Sequence, residues 1–126
     1  MITREAETEL RILAEQFKAV AVLGPRQSGK TTLVRKVFES KPYVSLENPD
    51  MRLFAMDDPK GFISNYPDGA VLDEIQRVPE LFSYLQQILD DQTANGFFIL
   101  TGSNNFLLQE SISQSLAGRV AYLFLL

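Results

Sequence analysis

Five apolar runs of strand length punctuate the chain. They cover residues 19–23, 43–47, 70–74, 97–100 and 120–126. Between them, apolar residues recur at helical spacing. Residues 3–17 carry Ala6, Leu10, Leu13 and Phe17 as one stripe, with acidic side chains crowding the first turn. A second stripe, Leu33, Val34, Val37 and Phe38, follows Gly29, and its helix is expected to end near residues 40–42. Asn48-Pro49 and Asp58-Pro59 each read as an N-cap followed by proline at the first helical position. They predict short helices over 49–56 and 59–65. Tyr66-Pro67-Asp68-Gly69 is a turn cluster. A longer helix is predicted from Pro79, with Leu81, Phe82, Leu85, Ile88 and Leu89 inward and Asn95-Gly96 as its stop. Residues 106–116 form the last helix, with Leu107, Leu108, Ile112 and Leu116 sharing a side and Gly118 as a C-cap. Strands and helices alternate, so the fold class is α/β.

The chain has 126 residues and 45% hydrophobic composition, which fits one folded domain rather than a disordered segment. A formal net charge of −4 argues against a broad non-specific grip on nucleic acid, while leaving room for a local basic patch. Cysteine and histidine are both absent, which removes thiol catalysis, histidine general bases and the usual zinc sites. The first residues, Met1-Ile2-Thr3-Arg4-Glu5, carry no secretory apolar region, and no apolar run approaches membrane-spanning length. A cytoplasmic protein with no membrane partner is the expectation.

Residues Gly24-Pro25-Arg26-Gln27-Ser28-Gly29-Lys30-Thr31 fit G-x-x-x-x-G-K-[ST]. A buried strand precedes the loop and an amphipathic helix follows it, the context this motif requires. Glycines let backbone N–H groups approach a polyphosphate, and the helix N-terminus adds partial positive charge. The candidate phosphate-binding residues are therefore Gly24 through Thr32: Gly24, Pro25, Arg26, Gln27, Ser28, Gly29, Lys30, Thr31 and Thr32. In this pattern Lys30 reaches the outer phosphates and the Thr31 hydroxyl ligates Mg²⁺. The alternative is a chance glycine loop.

Residues 70–74 are an apolar strand ending in Asp73-Glu74, a Walker B arrangement. Asp73 would support Mg²⁺ and Glu74 would orient or deprotonate a water. Taken alone, the pair is two exposed acids after a strand. Gln76 and Arg77 would contact a partner subunit or the water, or else sit as solvated turn residues. At the tip of the 97–100 strand, Ser103 is the favoured γ-phosphate sensor, with Thr101 and Asn104 beside it; the competing reading is a helix N-cap. Arg119 sits between a helix and a strand. It is either a cation at a helix C-terminus or a finger reaching a neighbouring subunit's site.

Taken together, the residues resemble the AAA+ division of P-loop ATPases. They resemble more closely the prokaryotic AAA-type ATPases that carry a C-terminal domain of unknown function. The resemblance rests on Gly24 through Leu33, Tyr43-Val44-Ser45-Leu46-Glu47, Asp57-Asp58-Pro59, Leu72-Asp73-Glu74-Ile75-Gln76-Arg77-Val78-Pro79-Glu80-Leu81, Ile99-Leu100-Thr101-Gly102-Ser103, and Ser115-Leu116-Ala117-Gly118-Arg119-Val120. It implies a three-layer P-loop sandwich whose five-stranded parallel sheet is ordered 5-1-4-3-2. It also implies ATP and Mg²⁺ as ligands, with ATP hydrolysis. Residues 1–126 would be the ATPase core, a fragment lacking the family's lid and C-terminal domain. The apolar run 122–126 points the same way, since it reads as a strand from inside a sheet.

Two functions follow. One is Mg²⁺-dependent ATP hydrolysis coupled to movement of an attached domain. There Glu74, Lys30, Ser103 and Arg119 are the catalytic set, Thr31 and Asp73 the metal set, and ATP and ADP the ligands. Arg119 would act in trans within a homo-oligomer, and the C-terminal region would hold a protein or nucleic-acid partner. The other is a nucleotide-binding switch with negligible turnover.

Overall fold

The computed structural model describes residues 3–126. In chain order the elements are α1 (Arg4–Gln16), β1 (Ala19–Leu23), α2 (Lys30–Val37), β2 (Tyr43–Ser45), α3 (Pro49–Asp57) and α4 (Pro59–Ser64). They continue with β3 (Ala70–Asp73), a 3₁₀ turn (Ile75–Arg77), α5 (Leu81–Asp91), β4 (Phe98–Gly102), α6 (Phe106–Leu116) and β5 (Val120–Phe124). The strands form one sheet ordered β2-β3-β4-β1-β5, and every pairing is parallel. This is the order the family resemblance implied, read from the other edge.

β1 lies between β4 and β5 and is buried along its whole length. Its alternate residues serve two layers, as strand geometry demands. Val20 and Val22 pack with Leu10 of α1, Leu33 and Val34 of α2, and Ile99. Ala19, Ala21 and Leu23 join the larger core on the other face, with Phe62, Leu72, Leu85, Leu100, Leu108 and Ile112. Because every pairing is parallel, all strand C-termini open along one rim.

The helix starts are chemically marked. Thr3 Oγ1 accepts the Ala6 N–H, Asn48 Oδ1 accepts those of Asp50 and Met51, and Asp58 Oδ1 accepts that of Gly61. Each satisfies orphan donors of a first turn.

Several boundaries differ from the sequence reading. α2 ends at Val37, before the expected 40–42. β2 ends at Ser45, although the Leu46 N–H still reaches the Asp73 carbonyl at 3.0 Å. α5 begins at Leu81 rather than Pro79, because the preceding bonds span only three residues: Leu81 N–H to the Val78 carbonyl and Phe82 N–H to that of Pro79. β4 runs on through Thr101 and Gly102. In α6 the buried side is Leu108, Ile112 and Leu116, an i, i+4, i+8 row, while Leu107 is 76% exposed. Residues 122–124 end a strand at the edge of the sheet rather than in its interior. β5 is an edge strand, and Phe124 is 48% exposed.

Candidate functional site

The loop from Gly24 to Gly29 connects the end of β1 to the first turn of α2 at the C-terminal rim. Its entry is fixed by the Gly24 N–H donating to the Gly102 carbonyl at 3.1 Å. Gly24 has room for no side chain: a Cβ there would stand 2.9 Å from the Leu125 carbonyl oxygen. Gly29 closes the loop at φ 90°, in the left-handed region that favours glycine. Gln27 also has positive φ, at 63°. α2 begins at Lys30, directly after this turn, and the first-turn amides of a helix have no partner within it.

A cleft of about 510 Å³ opens here, lined by Gln27, Gly29, Lys30, Thr31, Thr32, Asp73 and Glu74, with Arg26 and Glu47 at its edge. Arg26 pairs with Glu47 at 3.1 Å, and both are largely exposed. Lys30 is only 6% exposed, and its ammonium folds back on the Gly24 carbonyl at 2.9 Å and the Pro25 carbonyl at 3.3 Å. Glu74 Oε1 lies 3.6 Å from it. A buried cation needs such partners. The Ser28 hydroxyl is buried without a hydrogen-bond partner among the described residues, a polar atom left over in the loop.

Asp73 ends β3 nearly buried, and hydroxyls surround its carboxylate. Thr31 Oγ1 lies 3.1 Å from Oδ1 and 3.2 Å from Oδ2. The Tyr43 phenol donates to Oδ2 at 2.5 Å, and the Thr101 hydroxyl donates to Oδ1. Burial, and then the hydrogen bond to Asp73, push the Tyr43 phenol far above its usual range, so it remains a donor. Glu74 takes the left-handed conformation at φ 60°, which terminates β3 and turns its carboxylate toward Lys30. Its N–H donates to Thr101 Oγ1 at 2.9 Å, and Gln76 Nε2 donates to its Oε2 at 2.6 Å.

The strand order explains this convergence. β4 lies between β1 and β3, so Thr101 stands between the glycine loop and the acidic pair. Of the three polar residues read at that tip, Thr101 is the one placed against Asp73 and Glu74. Ser103 is half-buried beyond the strand end and Asn104 is exposed, accepting from Gln109 Nε2; neither lines the cleft. Arg119 lies at the start of β5, on the opposite rim, where its carbonyl accepts the Ala19 N–H. Its guanidinium pairs with Asp90 and donates to the Ala117 carbonyl. It is not brought to the cleft of its own chain.

Sequence reasoning missed Tyr43 as a site residue. Only the parallel register, with Tyr43 opposite Val71 and Ser45 opposite Asp73, puts its ring on the Asp73 side of the sheet. Gln76 is a candidate in the sequence, but its bond to Glu74 depends on the 3₁₀ turn.

Among the described residues no group of three or more Asp, Glu, His or Cys could hold a metal unaided. Thr31 and Asp73 instead offer one hydroxyl and one carboxylate at a single corner. That all-oxygen pair fits Mg²⁺, which keeps most of its shell as water and phosphate.

A parallel sheet, a glycine loop closed by a buried lysine, and an acidic strand end define a P-loop nucleotide-binding core. The chain belongs to the AAA domain family, whose model matches residues 16–126. It is 37% identical over 119 residues to uncharacterized proteins of Mycobacterium bovis and Mycobacterium tuberculosis. That match takes in 93% of this chain and 27% of each relative, so the chain spans about a quarter of their length. In fold it is similar to a Walker-type ATPase of Pyrococcus abyssi, with a TM-score of 0.66 at 17% identity, covering 97% of this chain and 52% of that one. The family and fold are those of nucleotide-binding and nucleotide-hydrolysing domains. No helix among the described residues is long and apolar enough to cross a membrane.

Proposed function

We propose that the chain binds ATP with Mg²⁺ at the C-terminal rim, hydrolyses it, and couples the cycle to movement of a domain or partner outside these residues. The observation that carries this reading is the meeting of Lys30, Thr31, Asp73 and Glu74 around one cleft. The loop amides and Lys30 hold the phosphates, Lys30 exchanging its carbonyl partners for phosphate oxygens. Thr31 and Asp73 would together hold Mg²⁺. When bound there, the metal would supply neutralisation of the phosphate charge. Glu74 aligns a water and accepts its proton. Its restricted backbone and Thr101 keep it facing the cleft. Arg119, on the far rim, acts only on the site of a second copy, which makes the finger role conditional on a homo-oligomer.

One observation favours a second reading, a nucleotide switch with negligible turnover. Both Glu74 oxygens already have partners, Gln76 at 2.6 Å and Lys30 at 3.6 Å, so the base is engaged before any water arrives. Phosphate release and ATP affinity, measured for wild type and Glu74→Gln, separate the two. Hydrolysis predicts wild-type release that falls by roughly 10²–10⁴ in Glu74→Gln, with affinity kept. Tight Mg²⁺-dependent binding with no wild-type release establishes the switch. Release unaffected by Glu74→Gln removes Glu74 from the chemistry.

A further inference from the structure

Asp73 is held by two hydroxyls, those of Thr101 and Tyr43, from residues that do not line the cleft. Thr101 lies beneath Oδ1, inside the sheet, and Tyr43 reaches Oδ2 from the neighbouring strand. Tyr43 sits opposite Val71, two residues before Asp73, so its ring must lean along the strand to cover the gap. It is fixed in that pose from above. Arg35 lies one helical turn after Thr31 on α2, and its guanidinium carbon is 4.3 Å from the Tyr43 ring centroid. One face of α2 thus delivers Thr31 to Asp73 and Arg35 to Tyr43.

We propose that Tyr43 is a positioning residue for the metal. Its phenol fixes the plane of the Asp73 carboxylate, keeping that group aimed at the Thr31 corner where Mg²⁺ would sit. The argument is geometric. Thr31 is nearly equidistant from the two Asp73 oxygens, at 3.1 and 3.2 Å, so Thr31 alone does not select an orientation. Thr101 anchors one oxygen only, which leaves the carboxylate free to pivot about that contact. The Tyr43 bond to the second oxygen removes the pivot. Outer partners of this kind orient a metal's ligands, and their loss commonly costs 10- to 100-fold in metal affinity. Tyr43 touches neither phosphate nor water in this scheme, so it acts through Asp73 alone.

This inference rests on the Mg²⁺-nucleotide reading above, and its test separates the two. A fluorescent non-hydrolysable ATP analogue is titrated into wild type, Tyr43→Phe and Tyr43→Leu, first in EDTA and then against increasing Mg²⁺. Mn²⁺ paramagnetic resonance reports metal occupancy directly. Both variants lose the phenol, but Tyr43→Phe keeps the ring and its Arg35 contact. The proposal predicts that both raise the half-saturating Mg²⁺ by about 10-fold. Affinity in EDTA should stay within about 2-fold of wild type, and the melting temperature of Tyr43→Phe should remain near wild type. A wild-type Mg²⁺ response in Tyr43→Phe, with a weakened one only in Tyr43→Leu, would assign the residue to ring packing and overturn the proposal. A wild type whose analogue affinity ignores Mg²⁺ would overturn the underlying Mg²⁺ reading as well.

Discussion

The two rims of the sheet differ in a way that cavity size conceals. The N-terminal rim holds the larger cavity, about 760 Å³, bordered by residues such as Arg11, Lys41, Asp68 and Asn95. The C-terminal rim holds about 510 Å³. Yet in the larger cavity charged groups are spread out. Lys41 donates weakly to the Asp68 carbonyl at 3.4 Å, and burial lowers its pKa while Asp68 opposes the shift. The smaller cleft gathers a buried lysine, a nearly buried aspartate with three hydroxyl neighbours, and a glutamate in a left-handed conformation. A protein spends stability on buried charge and backbone strain where they serve function. The difference follows from topology. In a parallel sheet the loops after the strands converge beside helix N-termini, and the loops before them do not.

Substitutions at the two rims should therefore fail in different ways. The largest effect is expected at the N-terminal rim and concerns stability. Gly69 has φ 89°, and a Cβ there would lie 1.8 Å from the Phe97 carbonyl oxygen. Gly69→Ala should cost more than about 3 kcal/mol, seen as a fall of roughly 10 °C or more in melting temperature. Analogue affinity of the fraction still folded should be unchanged. A stable Gly69→Ala with weakened nucleotide binding would mean that the N-terminal rim contributes to the site. Lys30→Ala should do the reverse. Affinity for the triphosphate should drop roughly 100-fold, about 3 kcal/mol, because a charge-assisted contact to two phosphates is lost. Melting should change far less, since the substitution also frees the fold from burying that ammonium. Unchanged affinity in Lys30→Ala would end the phosphate-cradle assignment.

What was legible in the sequence divides along the same physical line. Local signals were readable: the all-buried β1 run, the glycine loop, the Asn48-Pro49 and Asp58-Pro59 starts and the Asp73-Glu74 ending each depend on neighbours in the chain. The strand order came from the family resemblance, and the sheet bears it out. Features set by register or by competing turn geometry were not readable. Tyr43 reaches Asp73 only because β2 and β3 pair in one register. α5 starts past Pro79 because the bonds before it, from Leu81 to Val78 and from Phe82 to Pro79, span only three residues. By helical spacing, Leu107 is expected to share a side with Leu108, Ile112 and Leu116. A helix that buries an i, i+4, i+8 row has no place for it, and it stays exposed. The tip of β4 was read as polar, but periodicity could not show that Thr101 faces the acidic pair while Ser103 lies beyond it.

The most direct test asks where a metal–triphosphate complex lands. Backbone amide NMR spectra of the uniformly ¹⁵N-labelled 126-residue chain would be recorded with a non-hydrolysable ATP analogue, first with Mg²⁺ and then with substoichiometric Mn²⁺. Paramagnetic broadening should erase the amides of Gly29, Lys30, Thr31, Asp73 and Glu74 first, leaving Lys41, Asp68 and Asn95 sharp. Broadening centred on Lys41, Asp68 and Asn95, with the Gly24–Thr31 loop untouched, would contradict the assignment of the site to the C-terminal rim.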